Sequence, residues 1–265
     1  MLDYYALTGF SHEGDIPTPL EMLEMNLAET ALFLDFDGTV VDIADRPDAI
    51  EISDDDKGLL ERASRATGGA LAMVSGRSID DLERYIDGVP CALAGGHGVE
   101  FRFTDGQRET ARFNRDNLER LRSAAEAFAQ AEPRIFIEHK TAGIVLHFRQ
   151  HPEMEDKART FAEAMVLDDP ESEVQPGKMV FEIKPKAVSK ARAIERLMET
   201  PPFAGRRILF AGDDHTDELA FGALRQKGAI CVKIGEEQTK AEYASPSPEA
   251  FKAWLTDAVE RTPNG

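Results

Sequence analysis

Residues 31–34 form an uninterrupted apolar run, Ala31-Leu32-Phe33-Leu34, that ends on two aspartates one residue apart, in Asp35-Phe36-Asp37-Gly38-Thr39-Val40. A short run without alternation suits a strand covered on both faces, as in the interior of a parallel sheet. Such sheets place their chemistry at the carboxyl ends of their strands. Two carboxylates delivered to that edge repel each other unless a cation lies between them. A hard divalent ion such as Mg²⁺ meets the need, because it takes oxygen ligands and shares them with phosphates. A helix N-cap accounts for one aspartate. It does not account for two that flank a phenylalanine and precede Gly38 and Thr39.

The same layout recurs along the chain. Apolar strands are expected at 70–74, 91–94, 207–211 and 229–233, and helices over 53–67, from 78, over 189–200, after Asp214 and around Trp254. A short helical stretch is expected over 20–27, after the breakers Gly14, Pro17 and Pro19. Alternating strand, turn and helix argues for the α/β class, a doubly wound, parallel (Rossmann-like) sheet.

The pattern changes near Thr104. An amphipathic helix over 115–131 leads to alternating strands at 134–139 and 144–149, which turn at Thr141-Ala142-Gly143. A helix over 153–166 and a strand over 179–183 follow. Hairpins with one polar face belong to antiparallel sheets. The expected organisation is therefore a core of residues 1–103 and 183–265 with an inserted α+β cap of residues 104–182. Its linkers fall near 102–106 and 180–185, with Gly106 and Pro185 as hinge elements.

Composition narrows the partners. With 31 basic against 49 acidic residues, the formal charge is −18. That field excludes nucleic acid, whose phosphates need cationic contacts, and an anionic substrate needs a local cationic pocket. Cys91 and Cys231 lie in apolar settings without metal-type spacing and read as core thiols. No basic-then-apolar leader opens the chain, and no apolar run nears the roughly 20 residues of a membrane span. A monomeric cytoplasmic protein acting on a small molecule, without membrane or nucleic-acid partners, is expected.

Four strand-end signals carry the chemistry. Asp35 and Asp37 end the first strand, Ser75-Gly76 the second, Lys190 opens the helix after the insert, and Asp213, Asp214 and Asp217 follow the late strand. Taken singly, Ser75 reads as a helix cap, Lys190 as a solvated helix residue and the three aspartates as an acidic helix start. Ordered along one sheet edge, they resemble the motifs of the haloacid dehalogenase-like phosphatases. Ser75-Gly76-Arg77, Gly96-His97-Gly98-Val99-Glu100, Phe181-Glu182-Ile183-Lys184-Pro185 and Gly212-Asp213-Asp214-His215-Thr216-Asp217-Glu218 look more narrowly like trehalose-6-phosphate phosphatases. The likeness spans about residues 30–255 and departs at Ala191, where the family usually has glycine, and at Leu219, where it has aspartate.

The resemblance implies roles. Asp35 is the nucleophile, giving an aspartyl-phosphate, and Asp37 the acid that protonates the leaving oxygen and then the base for water. Ser75 and Lys190 grip the transferring phosphoryl group. Mg²⁺ is held by Asp35, the backbone carbonyl of Asp37 and Asp213, while Asp214 and Asp217 either serve as outer ligands or orient Lys190. Gly38, Thr39, Gly76 and His97 support the site. The substrate is a sugar phosphate, trehalose 6-phosphate, met by Glu138, Lys140, Lys178 and Glu182 of the cap, with His147 or Arg149 in a similar part. Arg77 either shapes the entrance for substrate or binds a core carboxylate. Other sugar phosphates (sucrose 6-phosphate, mannosyl-3-phosphoglycerate, hexose phosphates) are the nearest alternatives. A non-catalytic sugar-phosphate sensor has no need of a nucleophile.

Overall fold

The structure is a computed structural model that describes residues 16–42, 50–167, 169–177 and 179–262. It contains two sheets. The larger is built from β1 (Thr18–Pro19), β2 (Thr30–Leu34), β3 (Leu71–Val74), β4 (Ala92–Gly95), β5 (Glu100–Arg102), β6 (Arg108–Thr110), with β11 (Arg207–Gly212), β12 (Ile230–Ile234) and β13 (Tyr243–Ser245). The smaller takes the intervening β7 (Phe136–His139), β8 (Ile144–His147), β9 (Ser172–Gly177) and β10 (Val180–Pro185). The nine strands of the first run in the order β1-β13-β12-β11-β2-β3-β4-β5-β6, and the four of the second β7-β8-β10-β9.

In the large sheet β1 through β4 pair in parallel, and every residue of β2 is buried. Burial on both faces explains the unbroken apolar run, because side chains pointing either way must meet helices. On one face lie α1 (Asp54–Ala66), α2 (Ile79–Tyr85) and α7 (Pro248–Arg261), packing Leu60, Leu82 and Trp254 against Leu32, Leu34 and Met73. On the other lie α5 (Lys190–Met198) and α6 (His215–Arg225), packing Ile194 and Phe221 against Phe33 and Phe210. The strand order reverses between β2 and β11, so the crevice of a doubly wound sheet opens beyond their carboxyl ends. The register aligns Leu34 with Met73 on one side and with Ala211 on the other. Asp35, Ser75 and Asp213 therefore emerge within a residue or two of one line.

The small sheet is antiparallel throughout. Ile144, Leu146, Phe181 and Ile183 point to one face and bury against α3 (Arg115–Ala131) and α4 (Glu155–Val166) through Leu121, Ala125, Ala158 and Ala162. The alternation read from the sequence is this division into an apolar and a polar face.

Several boundaries differ from expectation. Residues 100–110, divided between core and insert at residue 104, form the β5–β6 hairpin that extends the large sheet antiparallel from β4. Gly106 turns that hairpin and is not at a crossing between the sheets. At the other end, Ile183–Pro185 continue β10 in the small sheet. The single helical stretch expected over 20–27 is two 3₁₀ turns, Leu20–Met22 and Leu27–Glu29, the second capped by Asn26. Strand β9 was not anticipated, because Pro176 interrupts its sequence. At the edge of a sheet a proline costs no ladder bond. Among the described residues, no helix is long and apolar enough to cross a membrane.

Candidate active site

Lys190 is the first residue of α5, follows the cap Ser189, and is only 2 % exposed. A cation is unfavourable at that end of a helix and unfavourable in the interior. Three carboxylates offset both costs: Lys190 Nζ donates to Asp217 Oδ1 at 2.7 Å and lies 3.0 Å from Asp35 Oδ1 and 3.6 Å from Asp214 Oδ1. Burial alone would lower the lysine pKa, but Asp217, Asp35 and Asp214 together raise it, so it is held as an ammonium. Burial pushes Asp35 up to about 7 against the pull of Lys190.

The acidic turn after β11 is a capping box. Asp214 Oδ1 accepts from the Asp217 backbone N–H at 2.9 Å, and Asp217 Oδ2 accepts from the backbone N–H groups of Asp214 and Asp213, each at 3.1 Å. Helix-start chemistry thus also points Asp217 Oδ1 at Lys190. Of the two readings left open for Asp217, the structure supports orientation of Lys190, since both of its oxygens are engaged by donors. Burial opposes the ionisation of Asp214, yet Lys190 and the cap hydrogen bonds outweigh it and lower its pKa.

The residues fit a hard cation. One carboxylate oxygen each from Asp35, Asp213 and Asp217 lie within 4.8 Å of one another. Asp213 Oδ1 is buried without a hydrogen-bond partner, and burial pushes Asp213 up to about 6. An orphaned acceptor of this kind asks for a ligand. Gly38, at φ +78°, makes the space: a Cβ there would lie 2.3 Å from Asp213 Oδ2. Asp35 and Asp213 are the side chains that would hold such a cation. Asp214 serves as the helix cap, with Oδ1 also on the Thr216 hydroxyl at 2.7 Å.

The second motif turns away from the cap reading. Ser78 caps α2, while Ser75 is buried at the end of β3 and its Oγ accepts from the Arg77 N–H at 3.2 Å. Arg77 binds a core carboxylate, as one of its two readings held: Nε and Nη2 reach the two oxygens of Asp37, each at 2.7 Å. His97, at φ +57°, donates its backbone N–H to Ser75 O and lays its ring over Gly76, where a Cβ would come within 2.8 Å. Burial and nearby Lys190 push the His97 imidazole down to about 3, so it packs there neutral. Thr39 is fully buried beneath the first loop.

Across the small sheet, Glu138, Val145, Glu182 and Gln175 sit directly opposite one another in one row. This is the face away from α3 and α4. Glu138 forms an ion pair with Lys140 and a 2.9 Å hydrogen bond with His147 Nε2. Burial raises the pKa of Glu182 against Lys184 and Lys140. Lys184 donates to Val188 O at 2.9 Å, tying the end of β10 to the segment before Lys190. Lys178 lies outside the described residues.

The family model for trehalose-phosphatases matches residues 33–249. The chain is 35 % identical over 236 residues to a probable trehalose-phosphate phosphatase of Sinorhizobium fredii, covering 88 % of this chain and 89 % of that one. It belongs to the trehalose-phosphatase family. A trehalose-6-phosphate phosphatase of Escherichia coli K12 is also 35 % identical, over 232 residues and 86 % of each chain. Among solved structures, the C-terminal domain of a Candida albicans trehalose-6-phosphate phosphatase superposes with a TM-score of 0.73 at 22 % identity, covering 94 % of this chain and 99 % of that one. The capped α/β fold read from the sequence is thus the haloacid dehalogenase-like fold of this family.

The two departures from the trehalose-phosphatase pattern leave the charged cluster around Lys190 intact. Ala191 is buried in the apolar cluster under α5, and Leu219 is 42 % exposed on α6. Neither displaces Lys190 or Asp217. Gln175, in the row with Glu138 and Glu182, is not among the residues the sequence singles out, nor is its strand. The alternation of Glu173, Val174 and Gln175 was the available signal, masked by Pro176.

Proposed function

We propose that this chain is an Mg²⁺-dependent phosphatase that hydrolyses trehalose 6-phosphate to trehalose and phosphate through an aspartyl-phosphate on Asp35. The observation that carries the reading is the buried Lys190 ammonium 3.0 Å from the Asp35 carboxylate at the carboxyl edge of the parallel sheet. An ammonium in a dry site stabilises charge on transferring phosphoryl oxygens far better than one in water. Asp35 attacks phosphorus; the bond to the sugar oxygen breaks, and that oxygen takes a proton from Asp37. Water then attacks the phosphoryl group, Asp37 takes its proton, and the bond to Asp35 breaks to release phosphate. Bound Mg²⁺ supplies Lewis-acid charge stabilisation at the phosphoryl oxygens. Lys190 and the Ser75 hydroxyl hold the group between the two steps.

Selection of the sugar falls to the small-sheet unit, acting as a cap on the core. A disaccharide is recognised by buried groups that are left unpaired when a smaller sugar binds. The row of Glu138, Glu182 and Gln175, with Lys140 and Lys178, supplies such donors and acceptors. The relatives from S. fredii and E. coli, named for trehalose-phosphate hydrolysis, support this substrate. The working form is a cytoplasmic monomer. Phosphate release from trehalose 6-phosphate, with and without Mg²⁺, beside sucrose 6-phosphate, glucose 6-phosphate and mannosyl-3-phosphoglycerate tests the proposal. A strong, Mg²⁺-dependent preference for the first is expected. Equal rates on all four overturn the substrate, and no release from any overturns the chemistry.

A further inference from the structure

Arg77 was open between two roles, at the entrance or on a carboxylate, and its contacts go beyond either. Its guanidinium is 9 % exposed and is fixed on every side. Nε and Nη2 form a two-pronged contact with Asp37, and Nη1 donates to Asp81 Oδ2 at 2.8 Å, a second anchor one helical turn further along α2. The charged group also lies over the rings of Phe36, at 5.7 Å, and Tyr85, at 5.2 Å. Its own backbone N–H is bound by Ser75 Oγ. One arginine therefore links the serine of the second strand end to the second aspartate of the first.

The geometry points to Arg77 as the positioning residue of the acid–base aspartate, an inference that rests on the role given to Asp37 above. A planar guanidinium meets a carboxylate in two parallel hydrogen bonds, which fix direction as well as distance. An ionised carboxylate offers about four lone-pair sites, and a two-pronged contact uses two of them. The other two point outward, and Asp37 is the partly exposed member of the pair, at 36 % against 9 %. Its outer edge is thus aimed and held before substrate arrives, while still able to meet a leaving oxygen or a water. A lysine would keep the charge but not the plane. Asp37 sits in a loop led by Phe36 and turned by Gly38, with an isolated bridge to Val41. Among the described residues, the two hydrogen bonds from Arg77 are what sets the direction of the Asp37 side chain.

The test exploits leaving groups. A sugar alkoxide leaves poorly and needs a proton from a well-aimed acid, whereas p-nitrophenolate leaves without one. Arg77→Gln and Arg77→Lys are assayed on trehalose 6-phosphate and on p-nitrophenyl phosphate, beside Asp37→Asn. Arg77→Lys keeps the charge and serves if the glutamine variant does not fold. Mis-aiming an acid of this kind costs about 10²–10⁴-fold. Because hydrolysis of the aspartyl-phosphate needs Asp37 as base whichever substrate formed it, the rates compared are those of the first turnover. For both arginine variants pre-steady-state release of trehalose is expected to slow by about 10²-fold or more with KM within about threefold, while the p-nitrophenolate burst slows by less than about tenfold. Asp37→Asn is expected to show the same split. Equal losses on the two substrates, or a loss confined to KM, overturn the inference. If Asp37→Asn itself leaves sugar-phosphate turnover intact, the acid–base role of Asp37 fails instead, and the two failures are told apart by that variant.

Discussion

Lys190 is buried among three carboxylates, whereas Lys140, on the polar face of the small sheet, keeps 46 % of its side chain in water beside Glu138. Both are lysines paired with acids, and they do different work. At the carboxyl edge of the large sheet, burial makes the charges depend on their partners, so their pKa values are displaced. On the small sheet the charges of Glu138 and Lys140 are half-solvated and cost little to rearrange, as the proposed exchange for sugar hydroxyls requires. The comparison separates a buried charge cluster, proposed for the phosphoryl group, from a half-solvated polar surface, proposed for the sugar.

The largest effect that sharpens it is Asp35→Asn. Removing the nucleophile is expected to lower kcat by more than about 10⁴-fold on both trehalose 6-phosphate and p-nitrophenyl phosphate, with circular dichroism unchanged. Residual turnover on either above that level breaks the assignment of the edge. Next comes Asp217→Ala, which strips Lys190 of its 2.7 Å partner. Leaving a buried ion-pair member uncompensated costs about 3–5 kcal/mol, to be read from urea unfolding. The matching change on the small sheet, Glu138→Gln, is expected to cost less than about 1 kcal/mol, as half-exposed pairs do. Equal costs would erase the distinction between the two regions.

A smaller effect is expected from Glu182→Ala. Loss of a directed contact to a sugar hydroxyl is worth about 1–3 kcal/mol, so KM for trehalose 6-phosphate should rise about 5–150-fold. The KM for p-nitrophenyl phosphate should stay put. A parallel rise in both would place Glu182 in the phosphate site rather than on the sugar.

The smallest is a dependence of thermal stability on pH and metal. Asp35 and Asp213 have pKa values raised to about 7 and about 6 by burial. Raised acids contribute stability that is fully present below the unfolded carboxylate pKa and lost as pH rises through these values. Asp214, lowered by Lys190, has the opposite sign, but its contribution changes only in acid, below the ordinary carboxylate range. From pH 5 to 8 the metal-free protein should therefore lose melting temperature from this cluster. Added Mg²⁺ should restore more at pH 8 than at pH 5, because protonated carboxylates do not bind it. A Mg²⁺ shift that is equal at both values, measured by scanning fluorimetry, contradicts the placement of the ion on Asp35 and Asp213.

Much of the carboxyl edge was legible in the residues. Asp35, Ser75, Lys190 and Asp213 each end a strand or open a helix, and those positions follow from apolar runs and breakers. The cap surface was legible only in part. Glu138, Lys140 and Glu182 stood out as long polar residues near turns, but Gln175 did not, because a proline hid the alternation of an edge strand. The limits of the insert were displaced for a similar reason. The β5–β6 hairpin carries exposed Arg108, Glu109 and Thr110 and looks like a surface segment, and only its pairing with β4 assigns it to the large sheet.

Sequence alone determined that a parallel, doubly wound sheet would bring four motifs to one edge, since local hydrophobic pattern dictates strands and strand ends dictate the edge. It also identified the acidic turn as a helix start. Tertiary structure alone decided what each charged group faces. Asp217 rather than Asp214 accepts the closest contact from Lys190, and Arg77 grips Asp37 across 40 residues of chain. Such pairings depend on which faces of distant elements are pressed together, and burial gives them their strength; neither is encoded in the spacing of residues along the chain.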